Sequence, residues 1–295
     1  MAQHEWLVDK FEENRSHLRA LAYRMLGSLN EADDAVQEAW LRLSRSDAGT
    51  IENLGGWLTT VVSRVCLDML RSRTSRKEEA LDPHVAGPVV PSDTRRDPEE
   101  ETLLADSIGA ALLIVLDRLD PAERLAFVLH DMFAVSFDEI ASIVGRSPEA
   151  ARQLASRARR RVQGAPSVPK ASLMEQRRVV DAFLDALHRG DFEGLVAVLD
   201  PDIVVRIDET AARPGAPGEI RGAENWAKGA IAFSRQLAGA VQPMLVNGEV
   251  GLVWAPGGHV FRLLRFSFAD GKITTADVIA DPARLSEFDL AVLDE

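Results

Sequence analysis

Six side chains on one short stretch, Glu149, Arg152, Gln153, Ser156, Arg157 and Arg160, have the types and spacing of a surface that reads double-stranded nucleic acid. Arginine and glutamine offer donors that match base edges in a major groove, and arginine and serine can also bind phosphate oxygens. The residues between them, Ala151, Leu154, Ala155 and Ala158, recur at helical spacing, so the polar set falls on the opposite face of one helix. The preceding residues supply the element that positions it. Ile140, Ile143 and Val144 give a first helix its apolar side, Gly145 stops it, and Ser147 with Pro148 offers an N-cap and a first helical residue. Residues 137–161 are therefore predicted to fold as helix, tight turn, helix.

A net charge of -12 argues against nucleic acid, but the average hides local patches. Residues 146–162 hold six arginines and one glutamate, and residues 64–77 hold five basic residues and one aspartate. With Cys66 the only cysteine, an intramolecular disulfide and a thiolate metal site are excluded. The scattered histidines form no pair at ligand spacing, so no metal and no cofactor is expected. Gln3, His4 and Glu5 stand where a signal peptide needs an apolar run, and the longest apolar run, residues 110–116, is too short to span a bilayer. The expected location is the cytoplasm, with no membrane partner.

From the N-terminus, Leu18, Leu21, Ala22, Met25 and Leu26 mark a helix over residues 11–26 that ends at Gly27. A second helix follows, with Asn30 as its cap and Ala32, Ala35, Val36, Ala39, Trp40 and Leu43 as its buried stripe, leaving Asp34, Gln37, Glu38 and Leu41 on the other side. A third begins near Trp57 and ends among basic residues, Arg71, Arg73, Arg76 and Lys77. Residues 80–98, broken by Pro83, Gly87, Pro88, Pro91 and Pro98, are predicted to be a linker. Helical periodicity resumes at about Glu99, and Asp120 with Pro121 caps a helix over residues 122–132 that leads into the helix-turn-helix.

Five blocks in this order carry a family resemblance: residues 33–43 (Asp-Asp-Ala-Val-Gln-Glu-Ala-Trp-Leu-Arg-Leu), Gly56-Trp57-Leu58, residues 67–73, residues 119–124 and residues 137–141. Together they resemble the signature of extracytoplasmic-function bacterial sigma factors, over residues 1 to about 165. The resemblance implies that residues 1–79 form sigma region two, which docks on core RNA polymerase and melts the -10 promoter element. Asp34, Gln37, Glu38 and Leu41 would then touch polymerase, and Arg64, Asp68, Arg71, Arg73 and Arg76 would face -10 DNA. Residues 99–165 would form region four, with Ser147, Glu149, Arg152, Gln153, Ser156, Arg157 and Arg160 at the -35 element. The implied partners are core RNA polymerase and promoter DNA.

About 130 residues remain, enough for another domain. Val179, Val180, Phe183, Leu184 and Leu187 mark a helix ending at Gly190, and Asp191 starts a shorter one. A strand over residues 203–207, a helix over residues 222–237 and four alternating segments follow. Asn247-Gly248, Pro256-Gly257-Gly258 and Asp270-Gly271 join those segments as hairpin turns. The predicted architecture is two all-α bundles followed by an α+β layer at residues 170–295. That order, with Leu199-Asp200-Pro201-Asp202, resembles the SnoaL-like, cystatin-like cone fold. A sigma factor with such a tail resembles the subgroup regulated in cis without a separate anti-sigma factor. Its closing motif is matched by Asp281-Pro282-Ala283-Arg284-Leu285, and its glycine-rich loop corresponds to residues 208–215. Cone folds also hold ligands or catalyse reactions, and Arg206, Asp208, Trp226, His259 and Arg262 are the candidates to line a pocket for a small-molecule effector. The chain is not expected to be an enzyme. A ligand-responsive helix-turn-helix regulator is the alternative, and an enzyme built on the cone is a third reading.

Overall fold

The computed structural model describes residues 2–46, 51–79, 109–212, 217–234 and 241–293. The linker at 80–98, the helical start expected at 99–108, and the ends of the 208–215 loop and the 222–237 helix lie outside them. The chain divides into two compact units, one of residues 1–108 and 116–159, the other of residues 109–115 and 160–295. The helix-turn-helix core therefore belongs to the same unit as the first three helices, a grouping that no local pattern in the sequence announces.

In the first unit, α1 (Ala2–Leu26), α2 (Leu29–Arg45) and α3 (Leu54–Glu79) pack on one another. Leu18, Leu21, Ala22 and Met25 of α1, the Ala32, Ala35, Val36, Ala39 and Leu43 stripe of α2, and Leu58, Val62, Cys66 and Leu67 of α3 are buried. Gly27, at φ 74, turns the chain in the left-handed region that favours glycine. Two boundaries differ from expectation. Ser28, not Asn30, is the N-cap of α2, and α3 begins three residues early because the Asn53 side chain accepts the Gly56 N–H at 3.0 Å.

The same unit contains the end of α4 (Ala110–Asp117) and α5 (Pro121–Phe127), which runs into a π-helical turn at Val128–Met132, so the helix expected over 122–132 is not uniform. Then come α6 (Phe137–Val144) and most of α7 (Pro148–Gln163). A capping box starts α6: Ser136 Oγ accepts from the Glu139 N–H while the Glu139 carboxylate accepts the Ser136 N–H. Gly145, at φ 68, ends it. Ser136→Ala should lower stability by about 1 kcal/mol. Urea denaturation followed by circular dichroism checks this, with an unchanged slope marking loss of the cap alone.

The second unit is an α+β layer. The helices α8 (Lys170–Arg189), α9 (Phe192–Val198) and α10 (Ala223–Ser234) lie with a seven-stranded sheet: β1 (Leu199–Ile207), β2 (Glu219–Arg221), β3 (Val241–Val246), β4 (Glu249–Trp254), β5 (Arg262–Ala269), β6 (Lys272–Ile279) and β7 (Leu290–Ala291). The order is β2-β1-β6-β5-β4-β3-β7. The β3 to β6 meander is antiparallel, and β1 joins it in parallel against β6. Asn247-Gly248 and Asp270-Gly271 turn with positive φ at both residues, as two-residue hairpins require. The third join differs from a hairpin turn: Pro256–Gly258 forms a 3-10 turn and β5 starts at Arg262 rather than near His259.

Alternation on the strands gives the sheet two apolar faces. Val205, Val250, Leu252 and Phe266 pack with Phe183, Leu184 and Trp226 of the helices, the inner side of the cone. Met244, Val246, Val253, Leu263 and Ile279 form the outer side. Ile114 and Val115 of α4 and Leu285 of the short helix α11 (Pro282–Ser286) cover that outer side, with Val162 of α7 packed against the same cluster.

Candidate nucleic-acid interface

The α7 surface has the chemistry expected from its sequence. Ala151, Leu154, Ala155 and Ala158 are buried, whereas Glu149, Arg152, Gln153, Ser156, Arg157 and Arg160 are exposed. Ser147 Oγ accepts the Ala150 N–H at 3.2 Å and so serves as the N-cap. The arginines divide by what they touch. Arg157 Nε bonds the buried Glu123 carboxylate at 2.7 Å and Arg159 Nε bonds Asp131 at 2.9 Å, so both tie α7 to the preceding helical segment. Arg152 lies over the Phe137 ring, 5.1 Å from its centre, which holds its stem near the N-terminal end of the helix.

On α2, Asp34, Gln37 and Leu41 are exposed and Glu38 is half-buried, accepting from Arg42 at 2.9 Å. Beside them a groove of about 900 Å³ opens between α1 and α2, lined by Phe11, Arg19, Asp33, Gln37 and Trp40. On α3, Arg64, Asp68, Arg71 and Arg76 are exposed, and Asp68, Arg73 and Arg76 border a smaller cleft of about 310 Å³ with Glu31 and Arg42. Arg73 has a different setting from the rest of its set. It pairs with Glu31 and donates to the Leu26 carbonyl at 3.1 Å, and burial pulls its pKa down although the Asp117 charge opposes this.

Sequence reasoning missed Arg124. It is 2% exposed, and its Nε and Nη2 donate to the Arg24 carbonyl at 3.2 and 3.1 Å. Arg24 and Leu26 end α1, where carbonyls have no partner within the helix, so Arg124 and Arg73 together close that terminus with positive charge. Burial lowers the Arg124 pKa to about 10, against the pull of Asp117, whose carboxylate lies 3.7 Å away. The neighbouring Cys66 thiol is pushed up to about 12 by burial, which leaves it an inert core group. Arg64 Nη2 also reaches the Ser142 carbonyl of α6, at 3.3 Å. The only sequence signal for Arg124 was an arginine beside the apolar Leu125, Val128 and Leu129 stripe.

The five cone candidates do not form one pocket. Trp226 is buried in the inner core, stacked on Phe183 at 5.3 Å. Arg206 alternates with Val205 and Ile207 of the inner face, so it points to the opposite side, 3.6 Å from Asp277, which also binds Arg265. His259 is exposed after the 3-10 turn. Asp208 and Arg262 are brought together, and Arg262 Nη2 donates to the Ala211 carbonyl at 3.3 Å.

Asp208 is the node of this region. Its Oδ1 accepts the Ala211 N–H at 2.7 Å, and its Oδ2 accepts the Ala280 and Asp281 N–H groups at 2.9 and 3.0 Å, with Arg284 at 3.7 Å. Burial alone would raise its pKa, but the three N–H donors and Arg284 outweigh burial and lower it. Of the tail residues, Asp281 caps α11 by accepting the Arg284 N–H, Pro282 opens the helix, and Leu285 enters the outer core. Farther on, the Val292 N–H donates to the Val162 carbonyl at 2.9 Å, at the end of α7.

Residues 11–76 match the family Sigma-70 region 2, and residues 110–162 match Sigma-70, region 4. The chain is 38% identical over 291 residues to the ECF RNA polymerase sigma factor SigJ of Mycobacterium tuberculosis, covering 95% of this chain and 93% of SigJ. It is 34% identical over 285 residues to the Probable ECF RNA polymerase sigma factor SigI of the same species, with 97% of each covered. A crystal structure of SigJ aligns with a TM-score of 0.46 and 36% identity, over 95% of this chain and 98% of that one. Among the described residues no helix is long and apolar enough to cross a membrane. With both region families matched in order and a relative similar along nearly its full length, the chain belongs to the extracytoplasmic-function RNA polymerase sigma factors, the subunits that join core polymerase and direct initiation at specific promoters.

Proposed function

We propose that this sigma factor rests in a closed form, that promoter binding opens it, and that its α+β domain sets the balance in cis without a separate anti-sigma factor. The observation that carries this reading is the union of region-two helices and most of region four in one compact unit. The -10 and -35 elements lie about 25 base pairs apart, or about 85 Å along the duplex at 3.4 Å per pair. A folded unit of this chain length is about 40 Å across. The Arg64 to Ser142 and Arg124 to Arg24 contacts must therefore break before both elements can be held.

In the open form, Asp34, Gln37, Glu38 and Leu41 dock on polymerase. Arg64, Asp68, Arg71 and Arg76 face -10 DNA, and Arg73 holds the α1 terminus beneath them. Glu149, Arg152, Gln153 and Ser156 read -35 bases, with Ser147 setting the helix start and Arg157, Arg160 and Arg161 near phosphates. The tail supplies the regulatory contact: Asp208 fixes Ala280 and Asp281, and Leu285 and Val292 then meet Ile114, Val115 and Val162, which flank the helix-turn-helix. The cone carries no catalytic role in this reading, and the protein works in the cytoplasm.

Arg152→Ala should cost about 1–3 kcal/mol at one promoter position and relax base choice there, whereas Arg160→Ala should weaken all sequences alike and reduce the salt dependence. Promoter-variant binding at several salt concentrations separates the two. Reconstitution with core polymerase tests the whole reading: specific run-off transcripts support it, and their absence, with DNA binding intact, leaves the helix-turn-helix regulator.

A further inference from the structure

We propose that the inner face of the cone, where Trp254 of β4 and Arg262 of β5 stand opposite each other, binds a small organic carboxylate with an apolar body. The two residues are register partners on adjacent strands, so their side chains leave the same face of the sheet. That face is the inner one, because Val250 and Leu252 stand at two-residue spacing from Trp254 on β4, Leu264 and Phe266 at the same spacing from Arg262 on β5, and all four pack with the inner core.

Trp254 Nε1 and Arg262 Nε are both buried, and neither has a hydrogen-bond partner among the described residues. A buried donor left unmade costs about 1–3 kcal/mol, and more when it is charged, so two on facing residues call for a common acceptor. A carboxylate supplies two oxygens, one for each N–H, and its charge matches the guanidinium. Asp208 does not fill this role, since its own oxygens already take the N–H groups of Ala211, Ala280 and Asp281.

The surroundings set the rest of the ligand. The Phe233 ring lies under the guanidinium at 4.4 Å, and Val241, the β3 partner of Trp254, packs against the inner core with Leu264. These groups favour an aromatic or aliphatic body. The site also adjoins the tail lock. Arg262 Nη2 holds the carbonyl of Ala211, whose N–H is held by Asp208, and Asp208 holds the tail. A bound carboxylate would thus act one residue away from the regulatory contact, a consequence that rests on the cis-regulation reading.

The test uses the full chain with ¹⁵N-labelled tryptophan, Trp254 being assigned by the resonance missing in Trp254→Phe. Titration with sodium benzoate should move the Trp254 indole N–H resonance saturably. Benzamide, the same body without the charge, should bind at least about tenfold more weakly, as should benzoate to Arg262→Gln. Unchanged resonances of the other tryptophans certify the fold of that variant. Should it fail to fold, Arg262→Lys, which keeps the charge and loses Nε, should show the same weakening. No saturable shift, the result expected if bound water satisfies both donors, would overturn the proposal, as would equal affinity for benzamide or no effect of the Arg262 variants. The titration needs no polymerase, so its failure is separate from any failure of tail regulation in transcription.

Discussion

Arg124→Ala is expected to destabilise the helical unit by about 3–5 kcal/mol, the range for removing one partner of a buried charged network. The substitution deletes both donors to the Arg24 carbonyl, leaves Arg73 alone to close the end of α1, and opens a cavity beside Cys66. Denaturation by urea measures the loss, and 5,5′-dithiobis(2-nitrobenzoate) reports it independently. In the native chain Cys66 is buried with its pKa raised, so reaction should be slow, and it should accelerate in the variant. A loss below about 1 kcal/mol would match an exposed ion pair instead and would remove Arg124 as the joint between the two sigma regions.

Asp208→Ala is expected to cost about 3 kcal/mol in the α+β unit, because three backbone N–H groups lose a charged acceptor at once. The tail should then become the first site of limited proteolysis, with cleavage after residue 280. The native protein has a related pH dependence. The folded pKa of Asp208 lies below its unfolded value of about 3.9, so this stabilisation is complete above that value and disappears as pH falls through the folded pKa. Above about pH 5 the difference in stability between native chain and variant should therefore hold steady, and it should narrow as pH falls through about 3.9 towards the folded pKa. An equal difference at every pH would mean that the carboxylate charge does not matter.

Much of the fold was legible because it follows from local pattern. The Ala151, Leu154, Ala155 and Ala158 stripe, the Gly145 stop and the Ser147 cap are short-range features, and each falls where its chemistry requires. Asn247-Gly248 and Asp270-Gly271 were equally plain, since few residues other than glycine and asparagine or aspartate tolerate positive φ at both turn positions. What was not legible depends on pairing over long sequence distance. Nothing local to Leu285, Ile114 or Val162 says that they share one core. The parallel pairing of β1 with β6 joins strands about 70 residues apart.

The candidate sites divide in the same way. Exposure of the α2 and α7 faces was readable from helical period, and so was the positive end of α3. The separate roles of Arg73 and Arg124 were not, because an arginine that caps another helix looks the same in sequence as one that binds phosphate. In the cone, alternation alone would have set Arg206 on the face opposite Val205 and Ile207. The junction of Asp208 with Ala280 and Asp281 needed the fold.

Restraint of the sigma regions by the tail in cis can be read from run-off transcription with core polymerase and three proteins: the full chain, the chain ending at Ala280, and full-length Asp208→Ala. A chain cut near residue 165 is less informative, since it strips the cone from Ile114, Val115 and Val162. Release of the tail should raise specific transcription about 5- to 150-fold, the span of an ordinary coupling energy between sites, with both altered proteins shifting in the same direction. Equal transcription from all three would mean that the tail does not restrain the sigma regions.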